Sequence, residues 1–144
     1  SHRSGAGRLL MSLREDALTN VKVVIVDAVD ILNTRIESQS VDEFLVFFPD
    51  PWPKKRHHKR RLVNADFLNT VTRCLKPNGL IHIATDWDDY AEAIVDLIRA
   101  ESRLHNLAEQ GISPRPASQP ETKYERRGVR LGHQVYDIIA RRCP

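Results

Sequence analysis

The hydrophobic positions of the chain follow two alternating spacings. Runs that are apolar at almost every position predict buried strands, and they occupy residues 21–26, 44–48, 80–84 and 135–140. Apolar residues at helical spacing predict helices over 8–20, 30–36, 65–75 and 87–100. Strands without a polar face are typical of parallel sheets covered on both sides. The alternation of helices and strands therefore predicts an α/β fold, with a mostly parallel, doubly wound sheet and helices on both faces.

Three segments interrupt this pattern. The prolines of 49–53 end the second strand abruptly, because each fixes φ and lacks an N–H group. The Lys-Pro-Asn-Gly sequence at 76–79 predicts a turn. The stretch 104–129 lacks periodicity, and long irregular segments inside compact domains tend to be functional or disordered. Since no interdomain linker separates these parts, we expect a single domain over residues 1–144.

The bulk composition is that of an ordinary globular domain. The chain has 144 residues, of which 41% are hydrophobic and 28% charged. No apolar run approaches the roughly 18 residues needed to cross a bilayer, and no signal peptide pattern opens the chain. The two cysteines, Cys74 and Cys143, are expected to be free thiols in a reducing environment. These features predict a cytoplasmic protein without a membrane partner.

The positive charge of the chain is local. The run 54–61 holds six Lys and Arg residues, and without them the net charge would be −3 instead of +3. A basic patch on an otherwise mildly acidic protein indicates a polyanionic partner. The same run would also suit a solvated loop or a localisation tag. His57 and His58 have no cysteine or acid at metal-ligand spacing, so no metal site is predicted.

An acid follows each of three predicted strands. Asp27, Asp50 and Asp86 stand directly after or just beyond the strands 21–26, 44–48 and 80–84. One acid at such a position is usually a cap or turn residue. In a parallel sheet, however, the carboxyl ends of the strands share one edge, and ligands bind in the crevice beside it. Three acids in succession therefore predict a site at this edge.

The loop that carries Asp50 allows two interpretations. Trp52 could be a core residue of a rigid proline turn. Alternatively, the stiff loop could hold an acid and an aromatic surface at the rim of a pocket, where an aromatic ring stacks on a nucleobase with about 1–3 kcal/mol. The segment 122–125 is similarly open, because its donor, cation, aromatic and acid suit either substrate binding or a surface loop held by ion pairs.

Five ordered motifs resemble those of the bacterial tRNA (guanine-N7-)-methyltransferases. The resemblance runs from about residue 4 to residue 142. The motifs are Phe48-Pro49-Asp50-Pro51-Trp52 with the basic run, Ala84-Thr85-Asp86-Trp87, Arg115-Pro116-Ala117-Ser118, Thr122-Lys123-Tyr124-Glu125 and Arg127-Gly128-Val129-Arg130-Leu131-Gly132-His133.

The resemblance implies a Rossmann-like class I methyltransferase that uses S-adenosylmethionine to methylate N7 of a guanine in the variable loop of tRNA. It implies a catalytic Asp50 that also contacts the cofactor, as does Asp27. The implied substrate-binding residues are Lys54, Asp86, Thr122, Lys123, Tyr124 and Glu125. The implied RNA contacts are Arg56, His57, His58, Lys59, Arg60 and Arg61. No obligatory protein partner is implied.

One departure from the family pattern concerns the cofactor. Class I methyltransferases hold it with a glycine-rich turn after the first strand and an acid after the second. Here 4–7 has two glycines without a preceding strand. We therefore expect the chain to be the C-terminal two-thirds of the domain, without its first strands and inactive alone.

Two other functions fit parts of the sequence. A non-catalytic RNA-binding module would use the basic run and the Trp52 loop, and would bind tRNA without the cofactor. A fragment of a nucleotide-binding oxidoreductase is a weaker alternative, because no phosphate-cradling motif is present.

Overall fold

The computed structural model of the chain describes residues 3–117, 125, 126, 132 and 134–144. The helices are α1 (Arg3–Glu15), α2 (Ala28–Thr34), α3 (Ala65–Cys74) and α4 (Asp88–Ala100), and a 3₁₀ helix covers Lys55–Arg60. The strands are β1 (Val41–Phe47), β2 (Leu75–Thr85), β3 (Leu104–Asn106) and β4 (Tyr136–Arg142).

The four strands form one mixed sheet in the order β1-β2-β4-β3. β1 pairs with β2 in parallel, whereas β4 pairs antiparallel with both β2 and β3. The expected α/β architecture is confirmed, although only one pairing among the described strands is parallel. Because β4 is antiparallel, it begins at the edge where β1 and β2 end.

The core lies between one face of the sheet and the helices α3 and α4. Ile81 is paired with Ala140 and Ile83 with Ile138, so these four side chains line the same face, and each is fully buried. The helices contribute a matching apolar stripe of Phe67, Leu68, Val71, Tyr90, Ala91, Ile94 and Ile98. The predicted helices 65–75 and 87–100 are therefore confirmed. Cys74 is a buried free thiol, as expected.

The opposite face of β2 and β4 holds a buried polar pair. His82 Nε2 lies 2.7 Å from Asp137 Oδ1, and the two side chains are only 5% and 3% exposed. The Phe47 ring meets the His82 ring edge-on at 5.0 Å. Buried polar groups are almost always hydrogen-bonded, and this bond joins β2 to β4 in addition to their backbone pairing.

The strand predicted over 21–26 is wrong. These residues form no strand, and Val24 and Val26 are about 60% exposed. A β-branched run forms a strand only where a neighbouring strand accepts its backbone hydrogen bonds, and no described strand pairs with it. The helix predicted over 8–20 begins earlier and ends at Glu15, and its Leu9 and Leu10 are about half exposed.

The turn predicted at 76–79 lies inside β2 as a bulge. The partner of Val41 is Leu75 and the partner of Glu43 is Leu80, so four residues of β2 face Asp42 alone. Asn78 takes a φ of 65°, the left-handed conformation that asparagine tolerates. A Cβ atom on Gly79 would stand 2.9 Å from the Lys76 carbonyl oxygen, so the bulge requires glycine there.

Tyr90→Phe is expected to lower the free energy of unfolding by about 1–3 kcal/mol, because it leaves the buried Val63 N–H without its acceptor. That N–H donates to the Tyr90 hydroxyl at 3.0 Å.

Burial raises the pKa of the Tyr90 phenol, and the Val63 hydrogen bond and the Arg61 charge oppose part of the rise. The unfolded chain therefore loses its proton first, and stability falls as the pH rises through about 10. Denaturant unfolding measures the free energy of unfolding at pH 7 and at pH 10.5. Between these two pH values it should fall less in Tyr90→Phe than in the unchanged protein.

Candidate functional site

A cleft of about 650 Å³ lies at the edge where β1 and β2 end and β4 begins. Its lining residues come from the loop after β1, the start of α4 and the approach to β4, namely Pro53, Asp86, Trp87, Asp88, Asp89, Gly132, Gln134 and Tyr136. The Tyr136 hydroxyl donates to Asp88 Oδ1 at 2.7 Å, which joins two walls of the cleft and raises the pKa of Tyr136. The cleft is therefore where the sequence predicts the site.

The loop that follows β1 carries Asp50 in a constrained conformation. Phe48 has a φ of 52° and Trp52 a φ of 44°, which is uncommon for bulky residues and costs about 1–3 kcal/mol each. The Phe48 N–H donates to the Ala84 carbonyl at 2.8 Å, and Asp50 Oδ1 accepts from the Trp52 N–H at 3.2 Å. Asp50 is exposed and does not itself line the cleft, whose lining includes Pro53 from the same loop. The fold thus holds its carboxylate at the predicted edge.

Trp52 is a surface residue of this loop rather than a core residue. It is half-buried, and it is absent from the core cluster of the sheet and helices. The guanidinium carbon of Arg60 lies 4.9 Å from the centre of its ring, and His57 meets it edge-on at 5.8 Å. The interpretation of Trp52 as a core residue is therefore wrong, and its ring belongs to the basic segment.

Asp86 follows β2 and lines the cleft, half-buried. The N-cap residue of α4 is Trp87, and its side chain makes no capping hydrogen bond. The Thr85 hydroxyl instead accepts from the Trp87 N–H at 3.3 Å, just before the helix.

Asp27 lies apart from these residues. It is exposed, does not line the cleft, and is the N-cap of α2. Its Oδ1 accepts from the Val29 and Asp30 N–H groups at 2.8 and 3.4 Å. The structure therefore gives Asp27 a local role that the sequence also allowed.

The basic run begins at Lys54 and forms the 3₁₀ helix. Lys54, Arg56, Lys59 and Arg60 are exposed, whereas His57 and His58 are half-buried. Arg61 departs from the prediction of an RNA contact, because its side chain is only 6% exposed and its guanidinium is bonded inside the protein. The exposed cations of the run therefore lie at the surface, whereas Arg61 at its end is bonded inside the protein.

The segment 122–125 is only partly within the described residues. Thr122, Lys123 and Tyr124 lie outside them. Glu125 is 2% exposed and forms an ion pair with Arg115. The described part of this segment therefore fits the interpretation of a loop held by ion pairs.

No cluster of three or more His, Cys, Asp or Glu side chains among the described residues could hold a metal ion. No described helix is both long and apolar enough to cross a membrane.

Comparison with known proteins relates the chain to methyltransferases. Residues 1–138 match the family model described as "Putative methyltransferase". The tRNA (guanine-N(7)-)-methyltransferase of Legionella pneumophila strain Corby is 50% identical over 139 residues, which cover 96% of this chain and 62% of the relative. The enzyme of the same name from Nitrosospira multiformis is 50% identical over 141 residues, covering 98% and 61%. The chain thus spans about three-fifths of the length of these curated relatives.

Solved structures share the fold at low identity. A SAM-dependent O-methyltransferase from Thermotoga maritima superposes with a TM-score of 0.55 at 17% identity, over 99% of this chain and 48% of that one. A precorrin-6y C5,15-methyltransferase from Geobacter metallireducens gives 0.57 at 15% identity, over 98% and 65%. The fold is therefore that of the Rossmann-like class I methyltransferases.

Proposed function

Because the chain belongs to the methyltransferase family whose model matches residues 1–138, we propose that its protein transfers a methyl group from S-adenosylmethionine to N7 of a guanine in the variable loop of tRNA. The observation that carries this proposal is the arrangement at one edge of the sheet. The exposed carboxylate of Asp50, the ring of Trp52 and the basic 3₁₀ helix follow one another directly there. The 50% identity to enzymes of that name supports the choice of substrate.

Asp50 suits a reaction at guanine N7. N7 carries a lone pair and no proton, so its methylation requires no general base, and the ring becomes cationic as the bond forms. A fixed carboxylate beside the ring stabilises that charge, and it can also accept hydrogen bonds from the N1–H and amino groups of guanine. The two left-handed residues on either side of Asp50 hold it in place before the reaction begins.

Two acids that follow predicted strands suit the cofactor chemically, and neither of them lines the cleft. S-adenosylmethionine supplies an electrophilic methyl group on a cationic sulfur, which a carboxylate such as Asp50 would attract. Asp27 would contact the same cofactor through Oδ2, since both of its bonds to α2 use Oδ1. Asp86, at the cleft wall, would hold the substrate with Lys54, Thr122, Lys123 and Tyr124.

The RNA would lie along the 3₁₀ helix. Arg56, Lys59 and Arg60 present exposed cations that suit successive phosphates, and His57 and His58 stand between them. Trp52 offers an aromatic face beside these cations, where a base could stack. We place this activity in the cytoplasm, a compartment that suits the two free cysteines.

The test of the proposal is methyl transfer from labelled S-adenosylmethionine to unmodified tRNA. The chain is compared with a version extended to the length of its relatives, and the modified base is located by cleavage at 7-methylguanosine. Label at a variable-loop guanine in either form supports the proposal. Intact tRNA binding without methyl transfer in both forms would favour a non-catalytic RNA-binding module instead.

Replacing Arg56, Lys59 and Arg60 together by Ala is expected to weaken tRNA binding and flatten its salt dependence. Each lost phosphate contact reduces the slope of log K against log salt by about one unit, so a reduction of up to about three units is expected. Filter binding between about 50 and 200 mM salt measures the slope. Arg99→Ala is the matched control, because this exposed arginine lies on α4 and is paired with Asp96. An unchanged slope in the triple variant would exclude the 3₁₀ helix from the interface.

A further inference from the structure

Arg61 is the one cation of the run 54–61 that the fold buries. Its Nε donates to the Pro51 carbonyl at 2.8 Å, and its Nη2 donates to Asp89 Oδ1 at 2.8 Å. The same Nη2 lies 3.2 Å from His58 Nε2. A buried guanidinium requires partners for its charge and its N–H groups, and these contacts supply them.

The Pro51 carbonyl explains why the loop needs such a partner. Residues 49, 51 and 53 are prolines, so the loop has few N–H groups of its own and cannot join a β ladder. Its internal restraint among the described contacts is the bond from the Trp52 N–H to Asp50. The bond from Arg61 therefore attaches the loop to the rest of the protein one residue after Asp50.

The other partners of Arg61 belong to α4. Asp89 is in the first turn of this helix and lines the cleft, and the Arg61 guanidinium lies 4.5 Å from the centre of the Tyr90 ring. Tyr90 is fully buried and also accepts from the Val63 N–H, just beyond Arg61. A planar group with donors on two edges can span from the loop to the helix, whereas a lysine ammonium is a single point.

We propose that Arg61 is a positioning residue, which holds the Asp50 loop against α4 across the cleft and does not contact RNA. The proposal rests on the proposed function for its catalytic consequence, since Asp50 acts only if its carboxylate is fixed relative to the substrate. A displacement of about 1 Å in such a group can reduce the rate about 10²-fold.

Opposite charge changes provide the test. Arg61→Ala removes a positive charge and Asp89→Ala removes a negative one, yet each breaks the same bridge. The positioning role predicts that both variants lower kcat by roughly tenfold or more and leave the salt slope of tRNA binding unchanged. A phosphate contact by Arg61 predicts instead that Arg61→Ala reduces the slope by about one unit and that Asp89→Ala keeps the kcat of the unchanged protein.

Two further variants complete the design. Arg61→Lys keeps the charge but loses the two-edged geometry, so kcat should still fall. Arg99→Ala is the matched control, because Arg99 forms an exposed bridge to Asp96 on the same helix α4 and should change neither kcat nor the salt slope. Asp89 is 48% exposed, so Asp89→Ala remains informative if Arg61→Ala does not fold.

Hydrogen exchange separates this proposal from the proposed function. In the loop 49–53 only Asp50 and Trp52 have backbone N–H groups, and the Trp52 N–H should exchange faster in Arg61→Ala and Asp89→Ala, but not in Arg99→Ala. Faster exchange supports the bridge whether or not the protein methylates tRNA. Unchanged exchange of Trp52, or an unchanged kcat in Asp89→Ala, would overturn the positioning role while leaving the methyltransferase assignment intact.

Discussion

Replacing Asp50 by Asn is expected to lower kcat for methyl transfer to tRNA by about 10²- to 10³-fold, equivalent to about 2.7–4 kcal/mol of transition-state stabilisation. The asparagine keeps an oxygen that can accept from the Trp52 N–H, so the loop retains its conformation. What disappears is the negative charge that faces the cationic product ring. Single-turnover methyl transfer with labelled S-adenosylmethionine measures the step directly.

Asp42→Asn is the control for this prediction. Asp42 is another exposed acid, but it lies at the start of β1, whereas Asp50 follows the end of that strand. Lys76 Nζ lies 2.7 Å from Asp42 Oδ1. Its replacement removes the same charge and should leave kcat unchanged. A fall in kcat of similar size in both variants would show that net charge matters and that the position of Asp50 does not.

Asp137→Ala is expected to destabilise the protein by about 1–3 kcal/mol, because it leaves the buried His82 side chain without its hydrogen-bond partner. Total stabilities of domains are about 5–15 kcal/mol, so the variant is expected to unfold at much lower denaturant concentration. The bond also links β2 to β4, and its loss should loosen the edge at which the cleft lies. Urea unfolding followed by circular dichroism measures the difference.

A second variant distinguishes the hydrogen bond between His82 and Asp137 from the packing of their side chains. Replacing both His82 and Asp137 by Leu removes the polar groups together, and such apolar replacements of buried pairs are often close to neutral. We expect the double variant to be markedly more stable than Asp137→Ala. If Asp137→Ala alone unfolds like the unchanged protein, the pair contributes nothing to the attachment of β4.

The sequence predicted the elements that pack on one another. The apolar stripe of α4 and the apolar run of β2 are both buried in the same core of the described chain. Their hydrophobic periodicity was therefore enough to identify them. The run 21–26 is as apolar as residues 80–84 of β2, but no described strand lies beside it, and a propensity for strand cannot supply a neighbour. The hydrophobic pattern therefore predicts an element correctly where the element that it packs or pairs with is present in the described chain.

The candidate site was predictable by position and less so by contact. Asp50 and Asp86 were found because they follow strands, which is a statement about chain order. Arg61 is predicted as an RNA contact because the resemblance covers the whole basic run, and only the fold shows that its guanidinium bridges Pro51 and Asp89. The left-handed φ of Trp52 likewise arises from tertiary constraint, since tryptophan has no preference for it.

The place of β4 in the sheet has a consequence for how the chain folds. β3 meets the rest of the sheet through β4, although β4 follows it by about 30 residues along the chain. Closing the long loop between Thr85 and Tyr136 costs chain entropy before any pairing rewards it. During synthesis β1 and β2 can therefore associate early. β3 joins the sheet, and Tyr136 completes the cleft wall, only after β4 has inserted between β2 and β3.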